Sequence, residues 1–217
     1  MTQPTPVRIG TSDLAVAPLA LGGNVFGWTA DRDTSFEVLD AFVAGGGNFI
    51  DTADGYSAWE PGNTGGESET IIGEWLGARG GRDRVTIATK VSSHPEFSGL
   101  AATNVLAAAD ASLGRLGTDH IDLYYAHFDD ADTPLAETVA AFSSLVDAGK
   151  VRAIGVSNYT ADRVAEWADH REPARGLEAQ VQEPRPGHLH RHHPRRLPQP
   201  LRQRLGDVAR AHQRRPP

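Results

Sequence analysis

Val85-Thr-Ile-Ala-Thr-Lys90, a helical segment over about 100–116, and then Ile121-Asp-Leu-Tyr-Tyr-Ala-His127 form the stretch that decides the fold. The two outer runs are short and rich in apolar and β-branched residues. Between them, Val105, Ala109, Leu113 and Leu116 fall on one helical face. Strands apolar on both faces belong to a parallel sheet, and parallel neighbours need a crossover of this kind to run in the same direction. Each run also ends in a residue with proton chemistry, Lys90 and His127.

The alternation extends outward in both directions. Toward the N-terminus lie a helix over 67–76, a strand over 48–51 and a first strand over 19–22. Between those strands Thr34, with Glu37 three residues later, predicts a capping box opening a helix that carries Phe36, Leu39 and Val43, and Gly45-Gly-Gly47 stops it. Residues 7–18 read as a small hairpin around the turn Gly10-Thr-Ser-Asp13. Toward the C-terminus, Thr133 is expected to cap a helix with Pro134 at its first position, a buried stripe of Leu135, Val139, Phe142 and Val146, and Gly149 at its end. A strand over 151–156 follows, and Thr160 caps a helix reaching Trp167. Five strands alternating with helices predict an α/β protein built from βαβ units.

After Asp169 the pattern stops. Residues 1–169 hold 10 Lys and Arg against 24 Asp and Glu, a net charge of −14, whereas residues 170–217 hold 11 against 4, a net of +7. That second part also carries 8 of the 14 prolines and 6 of the 9 histidines, with no Ile, Phe, Tyr, Trp or Met. Closely spaced prolines oppose helix and central strand, so 170–217 reads as a basic Pro/Arg/His-rich tail, largely disordered apart from one short helix after Pro200. Its abrupt composition resembles a GC-rich coding sequence read out of frame, a question for the sequence of the locus. His188, His190, His192 and His193 lack an acidic or cysteine partner and a fixed geometry, so no metal site is assigned. The arginines alone specify no nucleic-acid partner.

No apolar run approaches the roughly 20 residues of a membrane span, and the N-terminus lacks the blocks of a signal peptide. The chain has no cysteine, which excludes disulfides and thiol nucleophiles. The expectation is a cytoplasmic protein without a membrane partner, of unspecified oligomeric state. Gly22-Gly-Asn-Val-Phe-Gly27 is not the G-x-G-x-x-G fingerprint, and Gly155-Val-Ser-Asn-Tyr159 lacks the second glycine of a nucleophile elbow.

In a barrel of parallel strands the C-terminal strand ends form the active face. Asp51 and Lys90 end neighbouring strands, and alone they would read as a plain salt bridge. Tyr56, five residues after Asp51 in Asn48-Phe-Ile-Asp-Thr-Ala-Asp-Gly-Tyr56, and His127 on the following strand change that reading. An ammonium beside a phenol favours the phenolate, so Lys90 is expected to lower the Tyr56 pKa and fit it for general acid work.

These motifs, with Gly149-Lys-Val-Arg-Ala-Ile-Gly-Val-Ser-Asn158, resemble the aldo-keto reductase family over residues 7 to about 168. The resemblance implies a TIM-type (β/α)8 barrel, here an incomplete barrel of about five βα units with an N-terminal β-hairpin plugging its bottom. Residues 1–169 are then a partial reductase barrel. It also implies hydride transfer from NADPH to an aldehyde or ketone, with Asp51, Tyr56, Lys90 and His127 as the catalytic tetrad. Ser157 and Asn158 match the family's pair for the nicotinamide carboxamide, though a turn and cap before the next helix need the same residue types. Gly22 and Gly23 match the point where backbone nears the cofactor, or serve a tight strand-to-loop turn. Trp28 and Trp59 line a substrate pocket or are semi-exposed loop aromatics. The family's grip on the cofactor phosphates lies toward the C-terminus and is not recognisable in 170–217, so the alternative is a truncated, catalytically impaired reductase fragment.

Overall fold

In the computed structural model, which describes residues 5–170, the alternation is realised as a five-stranded parallel sheet. A hairpin of β1 (Val7–Arg8) and β2 (Ala15–Val16) precedes it, with Val7 opposite Val16. The sheet strands are β3 (Ala20–Gly22), β4 (Phe49–Asp51), β5 (Thr86–Val91), β6 (Ile121–Ala126) and β7 (Val151–Val156). The helices are α1 (Arg32–Ala44), α2 (Glu67–Arg79), α3 (Ala102–Leu116), α4 (Leu135–Asp147) and α5 (Ala161–Asp169), with a 3-10 turn at Arg82–Arg84 before β5. Strands neighbour one another in chain order, so every crossover steps the same way. Right-handed crossovers that never reverse place their helices on one face, the arrangement of a barrel rather than of a doubly wound sheet.

The register explains how one sheet serves two cores. Gly22, Asp51, Ala88, Leu123 and Ala153 form one row across the five strands. Side chains alternate along a strand, so Phe49, Lys90 and Tyr125 share that face. Its apolar members Phe49, Ala88, Leu123, Tyr125 and Ala153 pack with Ile9, Leu14 and Val16 of the hairpin segment in one buried cluster. The opposite face, with Ile50, Ile87, Tyr124, Ile154 and Val156, packs against Leu39, Ile72, Leu116, Phe142 and Trp167 of the helices. The hairpin thus covers the inner face beneath Asp51 and Lys90, which occupy its C-terminal end.

Two helix starts differ from expectation. The first begins at Arg32, because Asp31 is the cap and its Oδ1 accepts the Thr34 N–H at 2.9 Å. Thr34 therefore lies inside the helix, and no Thr34–Glu37 box opens it. The fourth begins at Leu135 rather than at Pro134, since Thr133 donates its hydroxyl to Asp130 Oδ2 at 2.8 Å in the preceding loop. Thr160 does cap its helix, accepting the Arg163 N–H at 3.3 Å. Among the described residues, no helix is long and apolar enough to cross a membrane. The tail expectations for 171–217, the helix after Pro200 and the histidine tract included, lie outside the described residues.

Candidate active site

Lys90 is the centre of the site. Its side chain is 5% exposed, and its three N–H bonds meet three acceptors: Asp51 Oδ2 at 2.7 Å, the Thr52 carbonyl at 2.7 Å and the Tyr56 hydroxyl at 2.9 Å. A buried ammonium is tolerable only when paired and fully hydrogen-bonded, and this arrangement meets that demand. The geometry follows from the register: Asp51 pairs with Ala88, two residues before Lys90 on the same face. The chain then turns after β4, with Thr52 N–H donating to Ala88 O and Asp54 N–H to Lys90 O, and returns Tyr56 over the ammonium. Gly55 allows the turn to close, because a Cβ there would come within 2.7 Å of Ser93 Oγ and 2.9 Å of Ser93 O.

Burial pushes the Tyr56 phenol above its usual range, the Lys90 charge pulls it back, and Asp51 adds to the upward push. The net direction is upward. The expectation of a lowered phenol is corrected: Asp51 offsets part of the ammonium's effect, and most of the tyrosine is out of water. Burial alone would lower Lys90, but Asp51 and Tyr56 outweigh it and hold the ammonium above its ordinary range. Around neutral pH the pair is therefore a charged lysine and a protonated tyrosine, a proton donor with a fixed cation behind it.

His127 follows β6, and its ring lies edge-on to Tyr56 with centroids 5.8 Å apart. Ser93 Oγ meets its Nδ1 at 3.2 Å, and Phe128 stacks on the ring at 4.5 Å. The four expected catalytic residues are thus brought together. Ser157 and Asn158 lie beside them at the end of β7: Asn158 Nδ2 donates to the His127 carbonyl at 2.9 Å and to Ser157 Oγ at 3.1 Å. Asn158 has φ 58°, a left-handed conformation that asparagine tolerates. The two glycines part company. Gly22 is exposed at the end of β3, next to Asp51 in register, and a Cβ there would meet only Asn24 Oδ1 at 3.4 Å. Gly23 is a packing glycine: its N–H donates to Asp51 O, Ser68 Oγ donates to its carbonyl, and a Cβ would lie 2.8 Å from Ser68 Oγ.

Trp28 and Trp59 meet edge-to-face at 5.6 Å, and Trp59 lies 6.3 Å from Tyr56. With Phe128 they are among the few large exposed aromatics, each between 43% and 48% exposed. Ser93, Phe128 and the Thr52 carbonyl are site groups that the sequence reading missed. The first two lie three residues after Lys90 and one after His127, so inspecting residues flanking each motif would have found them. A backbone acceptor carries no such signal.

A profile of the Aldo/keto reductase family matches residues 18–182, running past Asp169. An uncharacterized 11.2 kDa protein of Pseudescherichia vulneris is 58% identical over 86 residues, covering 39% of this chain and 84% of that protein. Norsolorinic acid reductase B of Dothistroma septosporum is 36% identical over 165 residues, 68% of this chain and 40% of that enzyme. Aryl-alcohol dehydrogenase (NADP(+)) of Phanerodontia chrysosporium is 36% identical over 166 residues, 67% of this chain and 41% of that enzyme. The chain therefore spans about two fifths of the length of these two named enzymes.

Proposed function

Because the chain belongs to the aldo/keto reductase family of (β/α)8-barrel oxidoreductases, we propose that it reduces an aldehyde or ketone to an alcohol with NADPH, in the cytoplasm, using Tyr56 as general acid. One observation carries the reading: the Lys90 ammonium holds the Tyr56 hydroxyl and the Asp51 carboxylate at once, at 2.9 and 2.7 Å.

The residues at the end of β7 suit a nicotinamide carboxamide. Asn158 is exposed and spends its amide N–H groups on His127 and Ser157, which turns its oxygen into the acceptor available to a carboxamide N–H. Ser157 Oγ accepts from Asn158 and keeps its own proton to donate. When bound, NADPH supplies the hydride. The chain's residues supply the rest: Tyr56 transfers its phenolic proton to the carbonyl oxygen as charge develops there, and Lys90 stabilises the phenolate left behind. Asp51 holds Lys90 in place, and His127 orients the oxygen beside Tyr56. Trp28, Trp59 and Phe128 offer flat apolar surface next to that point, which favours aromatic carbonyl compounds and accords with the relatives named for norsolorinic acid and aryl alcohols.

The acid must be protonated for reduction, and its phenol is raised. Reduction is therefore expected to be flat through neutral pH and to fall only above the ordinary tyrosine value of about 10. Alcohol oxidation, which needs the phenolate, is expected to rise with pH throughout. Measuring kcat in both directions checks this, and a reduction limb falling below about pH 8 would contradict Tyr56 as the donor.

The competing reading is an impaired reductase, which rests on the cofactor-phosphate grip not being recognisable in 170–217. Titration with NADPH, followed by fluorescence and then by turnover of 4-nitrobenzaldehyde, separates the two. Saturable binding with turnover supports the reductase. No binding at millimolar cofactor supports the impaired reading.

A further inference from the structure

Asp54 is an ionisable group beside the tetrad to which the mechanism gives no task. It lies on the turn between Asp51 and Tyr56, it is fully buried, and neither carboxyl oxygen completes a hydrogen bond, although the adjacent Gly55 N–H points toward it. Its backbone is committed on both sides. The N–H donates to Lys90 O at 3.1 Å, and the carbonyl accepts the N–H of Gly66, the cap of α2, at 2.7 Å.

Several of the surrounding donors are engaged elsewhere. Thr89 Oγ1 donates to Glu69 Oε1, and Arg115 Nε donates to Glu69 Oε2 at 2.7 Å. Glu69 is fully buried, and this pairing gives it the charge partner that Asp54 lacks. Lys90 has no N–H left after Asp51, Thr52 and Tyr56. The Tyr124 hydroxyl, another neighbour, is itself buried without a partner.

We propose that Asp54 is a positioning residue for the Tyr56–Lys90 pair and performs that role as an uncharged carboxylic acid. A buried carboxyl is disfavoured as a carboxylate unless a cation is paired with it, and the arginine closest to hand, Arg115, is paired with Glu69 instead. Burial, and then the charge of Glu69, drive Asp54 well above the usual carboxylate range, while Arg115 and Lys90 pull it back only in part. Charge on Asp54 would compete with Asp51 for Lys90. Neutral, it leaves the whole ammonium to Asp51 and Tyr56, while its backbone ties the Tyr56 turn to β5. The groups facing it are Glu69 from α2, Arg115 from α3, Lys90 from β5 and Tyr124 from β6.

This proposal rests on the reductase reading for its kinetic arm but not for its spectroscopic one. Asp54→Asn mimics the neutral acid in shape and cannot ionise, so it is expected to keep kcat within about threefold and leave the pH profile unmoved. Asp54→Ala keeps the backbone bonds but leaves a cavity where the fully buried side chain packed under the Tyr56 turn, and the loosening that follows is expected to lower kcat by about tenfold or more with NADPH affinity kept. A tenfold loss in Asp54→Asn, or a displaced pH profile, would show that the charged form is the working one and overturn the proposal. So would full kcat in Asp54→Ala. The infrared carbonyl stretch of a protonated carboxylic acid, present in the wild type at pH 7 and missing from Asp54→Asn, tests protonation without turnover and without the alanine variant having to fold. Its absence from the wild type would sink the proposal even in an active enzyme. Its presence in a protein without NADPH binding would locate the failure in the reductase reading instead.

Discussion

Tyr56→Phe is expected to lower kcat for reduction of a reactive aldehyde by about 10²- to 10⁴-fold, the usual worth of a positioned general acid. The substitution is informative because it removes so little. The ring keeps its edge contacts to Trp59 and His127 and its place 4.6 Å from the Lys90 ammonium. Lys90 loses one of three acceptors and retains Asp51 and the Thr52 carbonyl. An unmade hydrogen bond of a buried charged group costs about 1–3 kcal/mol, so some loss of Tm is expected, without unfolding. NADPH affinity should be nearly unchanged, because Ser157 and Asn158 touch neither the hydroxyl nor Lys90. A variant keeping more than about a tenth of wild-type kcat would mean that the proton comes from elsewhere, with Lys90 and His127 the candidates.

The architecture was legible wherever a pattern of two or of 3.6 residues ran long enough. The runs at 85–90 and 121–127, joined by the face of Val105, Ala109 and Leu116, sufficed for a parallel sheet, and all five strands recur in order. That Asp51, Tyr56, Lys90 and His127 meet was legible because Asp51, Lys90 and His127 each end an apolar run, a position that a barrel turns into one face. What escaped was set by competition between neighbours in space. Asp31 displaced Thr34 as a cap because an aspartate three residues upstream already supplied the acceptor. The sign of the Tyr56 shift depends on how much of the phenol is buried and on where Asp51 points, neither of which is a property of spacing. Asp54 is invisible as a special residue in Ala-Asp-Gly-Tyr. Only the pairing of Glu69 with Arg115 and Thr89 shows that it has no donor of its own.

The second large effect is expected at the opposite end of the same strands. Asp122→Ala should destabilise the fold by about 3–5 kcal/mol, the cost of stripping the partner from buried charge. Asp122 is 1% exposed, and its carboxylate accepts from Arg82 Nη2 at 2.7 Å, Arg152 Nη1 at 2.7 Å and the Ile87 N–H at 2.9 Å. One side chain thereby joins the 3-10 turn, β5, β6 and β7. Arg152, 41% exposed, also reaches Asp13 and can follow it into water. Arg82, 18% exposed and tied to Thr118, Val85 and His120, cannot leave, so most of the penalty falls on it. Against a total stability of about 5–15 kcal/mol, such a loss is a fifth or more of the whole. Asp122 lies five residues before His127 on β6, roughly 17 Å along the strand, so the fraction that stays folded should keep its kcat. Urea denaturation beside kcat measured below the transition reads both quantities. A loss under about 1 kcal/mol would mean that Arg82 relaxes into solvent after all. A loss of kcat in fully folded protein would mean that the two ends of the sheet are coupled, contrary to the division of barrels into a stabilising N-terminal face and a reactive C-terminal one.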